Sequence, residues 1–166
     1  MTLKEILINL ISENIKKLYL SYKQPIFLFV LGITKNYDLS EDITEEVFIR
    51  VIKYHKTYNI FKNPKTWLFT IAKNTTYTFL KKNNEISYGD EDLEKILNQH
   101  NSIKNDNSLI VEEYLSYLND DERSIVILHI FGGLNHLEIS KILNISHSKV
   151  RSKYSYALKK IKEENW

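Results

Sequence analysis

The sequence predicts an all-α protein built as two small helical domains joined by a flexible acidic linker. Apolar residues recur at helical spacing through residues 3–82 and again from residue 109 onward. No segment alternates with strand period beside hairpin turn residues. Between the two periodic stretches lies NNEISYGDEDLEKILNQHNSIKNDNS, residues 83–108, rich in Asn, Asp and Glu, with room for one helical turn around Leu93–Leu97. These features place the domains at 1–83 and 109–166 and the linker at 84–108.

Each element has its own local signal. Leu3, Leu7, Leu10, Ile11, Leu18 and Tyr22 mark a first helix, and Pro25 starts or kinks the next, which runs to about Asn36. Ser40 can cap a helix carrying Ile43, Val47, Ile49, Val51 and Ile52. Asn63-Pro64 interrupts the pattern, and Pro64 suits the first turn of a helix running to about Lys82. In the second domain, Asn135 followed by Glu138 reads as a capping box opening a helix with Ile139, Ile142 and Leu143 on its apolar face. Asn144 suits a left-handed turn position, and Ser146 can cap a last helix bearing Val150, Tyr154, Ala157, Leu158 and Ile161. Gly132-Gly133 marks a sharp turn between helices.

Composition excludes several classes. The 166 residues are 43% hydrophobic and 27% charged, enough for a core, with a net charge of only +2. There are no cysteines, so disulfides and thiolate metal sites are excluded, and a reducing compartment fits. The start, MTLKEILINLISENIKK, is an amphipathic helix without a signal-peptide cleavage pattern. The longest apolar run, Ile26–Ile33, is far short of the ~20 residues that span a bilayer. The expectation is a cytoplasmic protein with no membrane insertion.

Charge is sorted into blocks. Residues 38–46 hold Asp38, Glu41, Asp42, Glu45 and Glu46 with no base. Residues 50–82 hold eight bases and no acid, interleaved with Tyr54, Tyr58, Phe61, Trp67, Phe69, Tyr77 and Phe79. Residues 83–122 carry eleven acids against Lys95 and Lys104, and Lys141–Lys162 seven bases and no acid.

The last block falls on the helix-turn-helix pattern of 118–162. With the apolar face turned inward, Ser148, Lys149, Arg151, Ser152, Lys153, Ser155, Tyr156 and Lys159 point outward, a cationic helix of the kind that enters the major groove of duplex DNA. The first basic block suits a single strand instead, because bases stack on aromatics beside a cationic track. Trp67, Phe69, Ile71 and Leu80 belong at least partly to the core, and Tyr58 and Phe61 in the loop before Pro64 are the best stacking candidates. The histidines at 55, 100, 129, 136 and 147 show no zinc spacing, and His136-x-Glu138 lacks the cysteines of a deaminase site. The reading includes no catalytic site, no metal and no cofactor.

Asp38 and the run Glu41-Asp42-Ile43-Thr44-Glu45-Glu46-Val47-Phe48-Ile49-Arg50 resemble the acidic helix of region two of extracytoplasmic-function sigma factors, a subfamily of the sigma-70 family of RNA polymerase subunits. Thr66-Trp67-Leu68-Phe69-Thr70-Ile71-Ala72-Lys73-Asn74 is similar to that family's promoter-melting helix, and 118–162 resembles its region four. The chain departs from the family pattern at Glu45, Val47 and Thr78, where Gln, Thr and Asp are common, and at Ser148-Lys149, where Gly-Thr is typical.

The resemblance implies a sigma factor that binds core RNA polymerase and directs promoter-specific initiation, with an anti-sigma factor as a possible further partner. It implies docking on polymerase through Asp42, Glu45, Glu46 and Ile49. It implies capture of the single strand of the downstream element by Tyr58, Phe61, Lys62, Asn63, Lys65, Lys73, Asn74 and Tyr77, with the loop Phe61-Lys62-Asn63 holding a flipped base. The acidic linker would lie in the polymerase's cationic RNA exit path. The alternative is a helix-turn-helix regulator that binds duplex DNA and is no polymerase subunit; such a protein would have no use for the acidic helix at 38–49.

Overall fold

The computed structural model describes residues 3–56, 63–82 and 113–164, with side chains from Ser12 onward. The expected linker at 84–108 and its helical turn around Leu93–Leu97 lie outside the described residues. Among the described residues every element is helical. Helix α1 spans Leu3–Thr34, α2 Tyr37–Tyr54 and α3 Pro64–Lys82. After a helical turn over 113–116, α4 spans Asp120–Val126 and continues as one π-helical turn over Ile127–Phe131. Helix α5 then spans His136–Leu143 and α6 His147–Glu163.

Pro25 does not start a new helix: α1 continues through it as one helix. An interior proline removes one backbone bond and costs about 3 kcal/mol. The turns that follow bury Ile26, Phe27, Phe29, Val30 and Leu31, and each fully buried side chain of this size returns about 1.5–3 kcal/mol. Packing therefore overrides the local signal.

The start of α2 also differs from expectation. Its cap is Asn36, whose Oδ1 accepts the Leu39 amide at 3.0 Å, and Lys35 at φ 52° turns the chain just before it. Ser40 sits inside the helix and is buried, its Oγ donating to the Asn36 carbonyl at 2.6 Å and lying 2.6 Å from Thr34 Oγ1. Asn36 takes the cap because the left-handed Lys35 already delivers it in the extended conformation a cap requires. By contrast, α3 begins at Pro64 as predicted, with Asn63 Oδ1 accepting the Lys65 amide at 3.1 Å.

One apolar cluster runs through the molecule. It joins Ile26, Phe29 and Val30 of α1, Ile43 and Val47 of α2, and Leu68, Phe69 and Ala72 of α3 to Ile125, Leu128, Leu134, Ile139, Val150 and Ala157 of the second half. The halves touch where α1 meets α4 and where α3 meets α5.

The second half is fixed by caps. Asn119 with Glu122 and Asn135 with Glu138 both form reciprocal capping boxes. Asn144 takes the left-handed conformation at φ 56°, and Ser146 Oγ accepts the Lys149 amide at 3.2 Å, as the sequence predicts. Arg123 is buried, donating to the Leu115 and Leu118 carbonyls at 3.0 and 2.7 Å and to Asp120 at 3.0 Å; it closes the end of the preceding helical turn. Leu158, expected on the apolar face of α6, is 41% exposed instead. Val150 and Ala157 are buried there and Tyr154 and Ile161 half-buried, so the stripe on this face is narrower than the sequence pattern suggests.

The π turn ends at two glycines with separate tasks. The Gly132 amide reaches the Ile127 carbonyl at 3.0 Å and the Leu134 amide the Leu128 carbonyl at 3.1 Å, with Gly133 at φ 67° between. Gly132 itself has no room for a side chain: a Cβ would lie 2.6 Å from the Leu128 carbonyl oxygen and 3.0 Å from the Phe69 ring. Gly132→Ala should therefore destabilise the chain by about 1–3 kcal/mol, the usual range for overpacking. Urea unfolding followed by circular dichroism checks this; an unchanged midpoint would show that the contact is slack.

Candidate nucleic-acid and polymerase interfaces

Helix α2 divides lengthwise. Ile43, Thr44, Val47, Phe48 and Val51 are buried, while Asp42, Glu45, Ile49 and Ile52 are exposed and Glu46 half-exposed. The exposed set recurs every three or four residues, so it forms one outward stripe with acids first and then isoleucines. Glu46 accepts from Arg50 Nε at 2.8 Å, an i,i+4 pair about one-third exposed on each side and worth only a few tenths of a kcal/mol. The acidic field reaches its neighbours. The Tyr19 hydroxyl, with Glu45 and Glu41 behind it, raises the pKa of Lys23. Burial, with Glu41 and Asp38, pushes the Tyr37 hydroxyl up.

On α3, Phe69 is fully buried and Trp67, Ile71 and Leu80 half-buried, as the spacing suggests. Asn74 is exposed and Tyr77 is 53% exposed. Lys65 and Lys73 do not stand free. Lys73 Nζ donates to the Ile142 carbonyl at 2.7 Å, and Lys65 Nζ to the Gly133 carbonyl at 3.3 Å. The Asn63 amide donates to the Glu138 carboxylate. Tyr58, Phe61 and Lys62 lie outside the described residues.

Helix α6 presents Ser148, Lys149, Arg151, Ser152, Ser155, Tyr156 and Lys159 to solvent. Lys159 pairs loosely with Glu163 at 3.7 Å. Lys153 is different. It is half-buried and donates to Asp121 at 2.6 Å, so it serves first to hold α6 against α4. Lys160, which the sequence did not single out, does the same: its Nζ lies 3.0 and 2.8 Å from the two oxygens of Glu122, a carboxylate only 3% exposed.

A second feature escaped the sequence altogether. His129, His136 and Tyr154 form a triangle of rings with centroids 4.7–4.9 Å apart. The same two histidines, with Asn135, Leu137, His147 and Arg151, line an open cavity of about 420 Å³ at the amino end of α6. His129 Nδ1 donates to the Leu134 carbonyl at 2.7 Å, which fixes its tautomer, while His136 Nε2 is buried without a partner. In sequence these histidines look scattered, because the turn after Phe131 and the one at Asn144 bring them together. Among the described residues no group of three or more His, Asp or Glu side chains is placed to hold a metal ion.

Comparison with known proteins gives the arrangement its family. Residues 18–86 match the family description Sigma-70 region 2, and residues 114–163 match Sigma-70, region 4. The chain belongs to the extracytoplasmic-function sigma factors of the sigma-70 family. Relatives of this sigma factor include the ECF RNA polymerase sigma factor SigM of Bacillus subtilis, 29% identical over 153 residues, covering 90% of this chain and 93% of SigM. SigX of the same organism is 26% identical over 161 residues, covering 91% of this chain and 83% of SigX. Among solved structures, the sigma factor RpoE in complex with the anti-sigma factor NepR from Bartonella quintana has the same fold, with a TM-score of 0.65 at 17% identity over 91% of this chain and 96% of that one. CnrH in complex with the cytosolic domain of CnrY gives 0.62 at 14% identity, over 92% and 87%. Among the described residues no helix of this sigma factor is long and apolar enough to cross a membrane.

The histidine triangle makes a prediction about acid. Burial, then the charges of His129, His147 and Arg151, lower the His136 pKa below its ordinary 6.5. The folded state thus favours neutral His136, whose contribution is complete above about pH 6.5 and lost as pH falls toward the lowered folded value. The urea midpoint should drop between about pH 7.5 and about pH 5, and drop less in His136→Phe, which keeps the ring packing without the titration. Equal drops in both proteins would remove His136 as the cause.

Proposed function

We infer that this sigma factor binds core RNA polymerase through the outward stripe of α2, reads an upstream promoter element with α6, and captures the non-template strand of the downstream element along α3. The observation that carries this is the pairing, in one chain, of an exposed acidic-apolar stripe with an exposed cationic recognition helix. DNA phosphate repels the first and attracts the second, so the stripe is suited to a protein and the helix to DNA. We assign 1–83 to polymerase docking and strand capture, 109–166 to duplex recognition, and 84–108 to the connection between them. Strand opening on this reading draws on stacking and phosphate contacts, without nucleotide hydrolysis or any catalytic group of this chain. NepR is bound to RpoE as an anti-sigma factor; a protein inhibitor of that kind is a fitting further partner here. Pull-down with core polymerase, followed by transcription from the gene's own upstream region, tests the reading as a whole.

Two experiments separate its parts. Charge reversal of Asp42 together with Glu46 should abolish polymerase binding while the full chain still binds promoter duplex, since interface charges set specificity and encounter rate. Unchanged affinity for polymerase would refute the docking assignment. On α6, Arg151→Ala should weaken duplex binding by about 1–3 kcal/mol and relax base preference, as expected for a base-edge contact. Lys159→Ala should weaken all sequences alike and reduce the salt slope by about 1, the mark of a phosphate contact. Binding titrations over a set of mutated upstream elements distinguish the two, and identical, sequence-blind losses would mean that the helix presents another face.

A further inference from the structure

Two lysines of α6 are held by adjacent acids of α4, and the two pairs are not equivalent. Lys160 reaches the buried Glu122 carboxylate at 2.8 Å. Glu122 also accepts the Asn119 amide at 3.0 Å, so it is fixed from two sides. Lys153 reaches Asp121 at 2.6 Å, but the Asp121 side chain is 68% exposed and has no other hydrogen bond among the described residues. Stripping Lys160 from Glu122 would leave a charge buried and unpaired, which is strongly destabilising. Parting Lys153 from Asp121 only returns a carboxylate to water, and a pair as exposed as this one contributes little. One lysine is therefore fixed and the other exchangeable.

Lys153 also leaves α6 on the margin of its outward face. Lys149 and Tyr156, four residues before it and three after, are exposed, while Val150 and Ala157 on its other side are buried. A recognition helix in the major groove has phosphate backbone along its flank, and a lysine stem is long and flexible enough to swing from one anion to another. A phosphodiester offers the Lys153 ammonium the same partner that Asp121 does, an anionic oxygen. We propose that Lys153 exchanges Asp121 for a backbone phosphate when α6 docks on duplex DNA, so that Asp121 sets duplex affinity by competing for one cation of the recognition helix. This rests on the reading of α6 as the duplex-binding helix given above.

The charge of Asp121 opposes binding twice. It retains Lys153 in the free chain, and after the exchange it stands uncompensated near the phosphates that took its partner. Both penalties are blind to sequence, because a phosphate contact carries no base information. Asp121 thus lowers affinity for every duplex by the same factor and leaves discrimination between promoters to residues at base edges. Lys149 and Arg151 are exposed and paired with no acid among the described residues, so they meet DNA without such an exchange.

Fluorescence anisotropy with the duplex of the gene's own upstream region, across a salt series, tests this on the full-length chain as Asp121→Asn, Lys153→Ala and the double variant. Asparagine keeps the size of the side chain and removes its charge. Asp121→Asn should bind the duplex about threefold to fivefold more tightly, the span that a partly exposed ion pair allows. An unrelated duplex should gain by the same factor. Lys153→Ala should weaken binding and reduce the salt slope by about 1. In the Lys153→Ala background the gain from Asp121→Asn should shrink to about half or less, since only the repulsion is left to remove. A gain of equal size in both backgrounds overturns the exchange, because the change in net charge then explains it. So does weaker binding by Asp121→Asn, which would make the pair a strut that positions α6. A misfolded variant would not bind more tightly, so damage to the fold does not imitate the expected result. If neither Lys149→Ala nor Arg151→Ala weakens duplex binding, the reading of α6 fails and the exchange falls with it; if they do while Asp121→Asn changes nothing, only the exchange is lost.

Discussion

The position of the second half on the first depends on Phe69 lying against Gly132. Phe69 is fully buried and meets Tyr22 and Phe29 of α1 edge-on, at ring distances of 6.2 and 6.0 Å. The turn that ends the π segment rests against the same ring, at a distance that only a glycine permits. One aromatic side chain thus belongs to both halves, and its placement fixes the approach to α5. The carbonyls of Gly133 and Ile142 come within reach of Lys65 and Lys73 as a consequence. The apolar contact sets the geometry and the polar contacts follow from it.

A second constraint governs which side of α6 faces solvent. The acid triplet Asp120-Asp121-Glu122 opens α4, where the helix dipole favours negative charge. Each member also holds a cation elsewhere: Asp120 pairs with Lys35, Asp121 with Lys153 and Glu122 with Lys160. The two lysines of α6 are thereby turned inward, and the remaining cations of that helix, Lys149, Arg151 and Lys159 among them, face out. The buried Glu122 carboxylate needs Lys160, because an unpaired buried charge would be strongly destabilising. A chain with a net charge of +2 gains a cationic outer face on α6 in this way, by neutralising some of its bases internally.

What could be read from the sequence were features that act over a few residues. Pro64, the Asn135–Glu138 box, Asn144 and Ser146 each mark a helix boundary through a bond spanning three or four residues, and each sits where local chemistry puts it. The buried stripe of α5 was likewise visible as periodicity, as were Ile43, Val47 and Val51 of α2, whereas Ile49 and Ile52 from the same apolar set face outward. Local chemistry was misleading where tertiary packing outweighed it: Pro25 lies within α1 because the next turns bury large side chains, and Ser40 lost the cap to Asn36. Of the residues expected to meet the strand, Asn74 and Tyr77 are exposed while Lys65 and Lys73 face α5. No periodicity could reveal that, since the partners are 68 and 69 residues apart. The histidine triangle was hidden for a related reason, its rings being gathered by two turns whose angles are not written in spacing.

On the docking proposal above, the acids and the isoleucines of the outward α2 stripe divide the work. Ile49 and Ile52 are 58% and 54% exposed and Tyr54 43%, an unusual concentration of apolar surface on a helix whose other side is fully packed. Asp42, Glu45 and Glu46 lie on the preceding turns of the same stripe. Exposed acids alone would steer a cationic partner but hold it weakly, because surface ion pairs are worth about 0–1 kcal/mol and are screened by salt. Exposed isoleucines alone would bind without selecting. Arranged in sequence along one helix face, the acids supply long-range attraction and orientation, and the isoleucines supply the water-excluding contact that persists after encounter. Salt should therefore slow association with the polymerase much more than it speeds dissociation. That behaviour separates this face from the role proposed for the cationic face of α6, where every phosphate contact would release counterions and make the equilibrium itself salt-dependent.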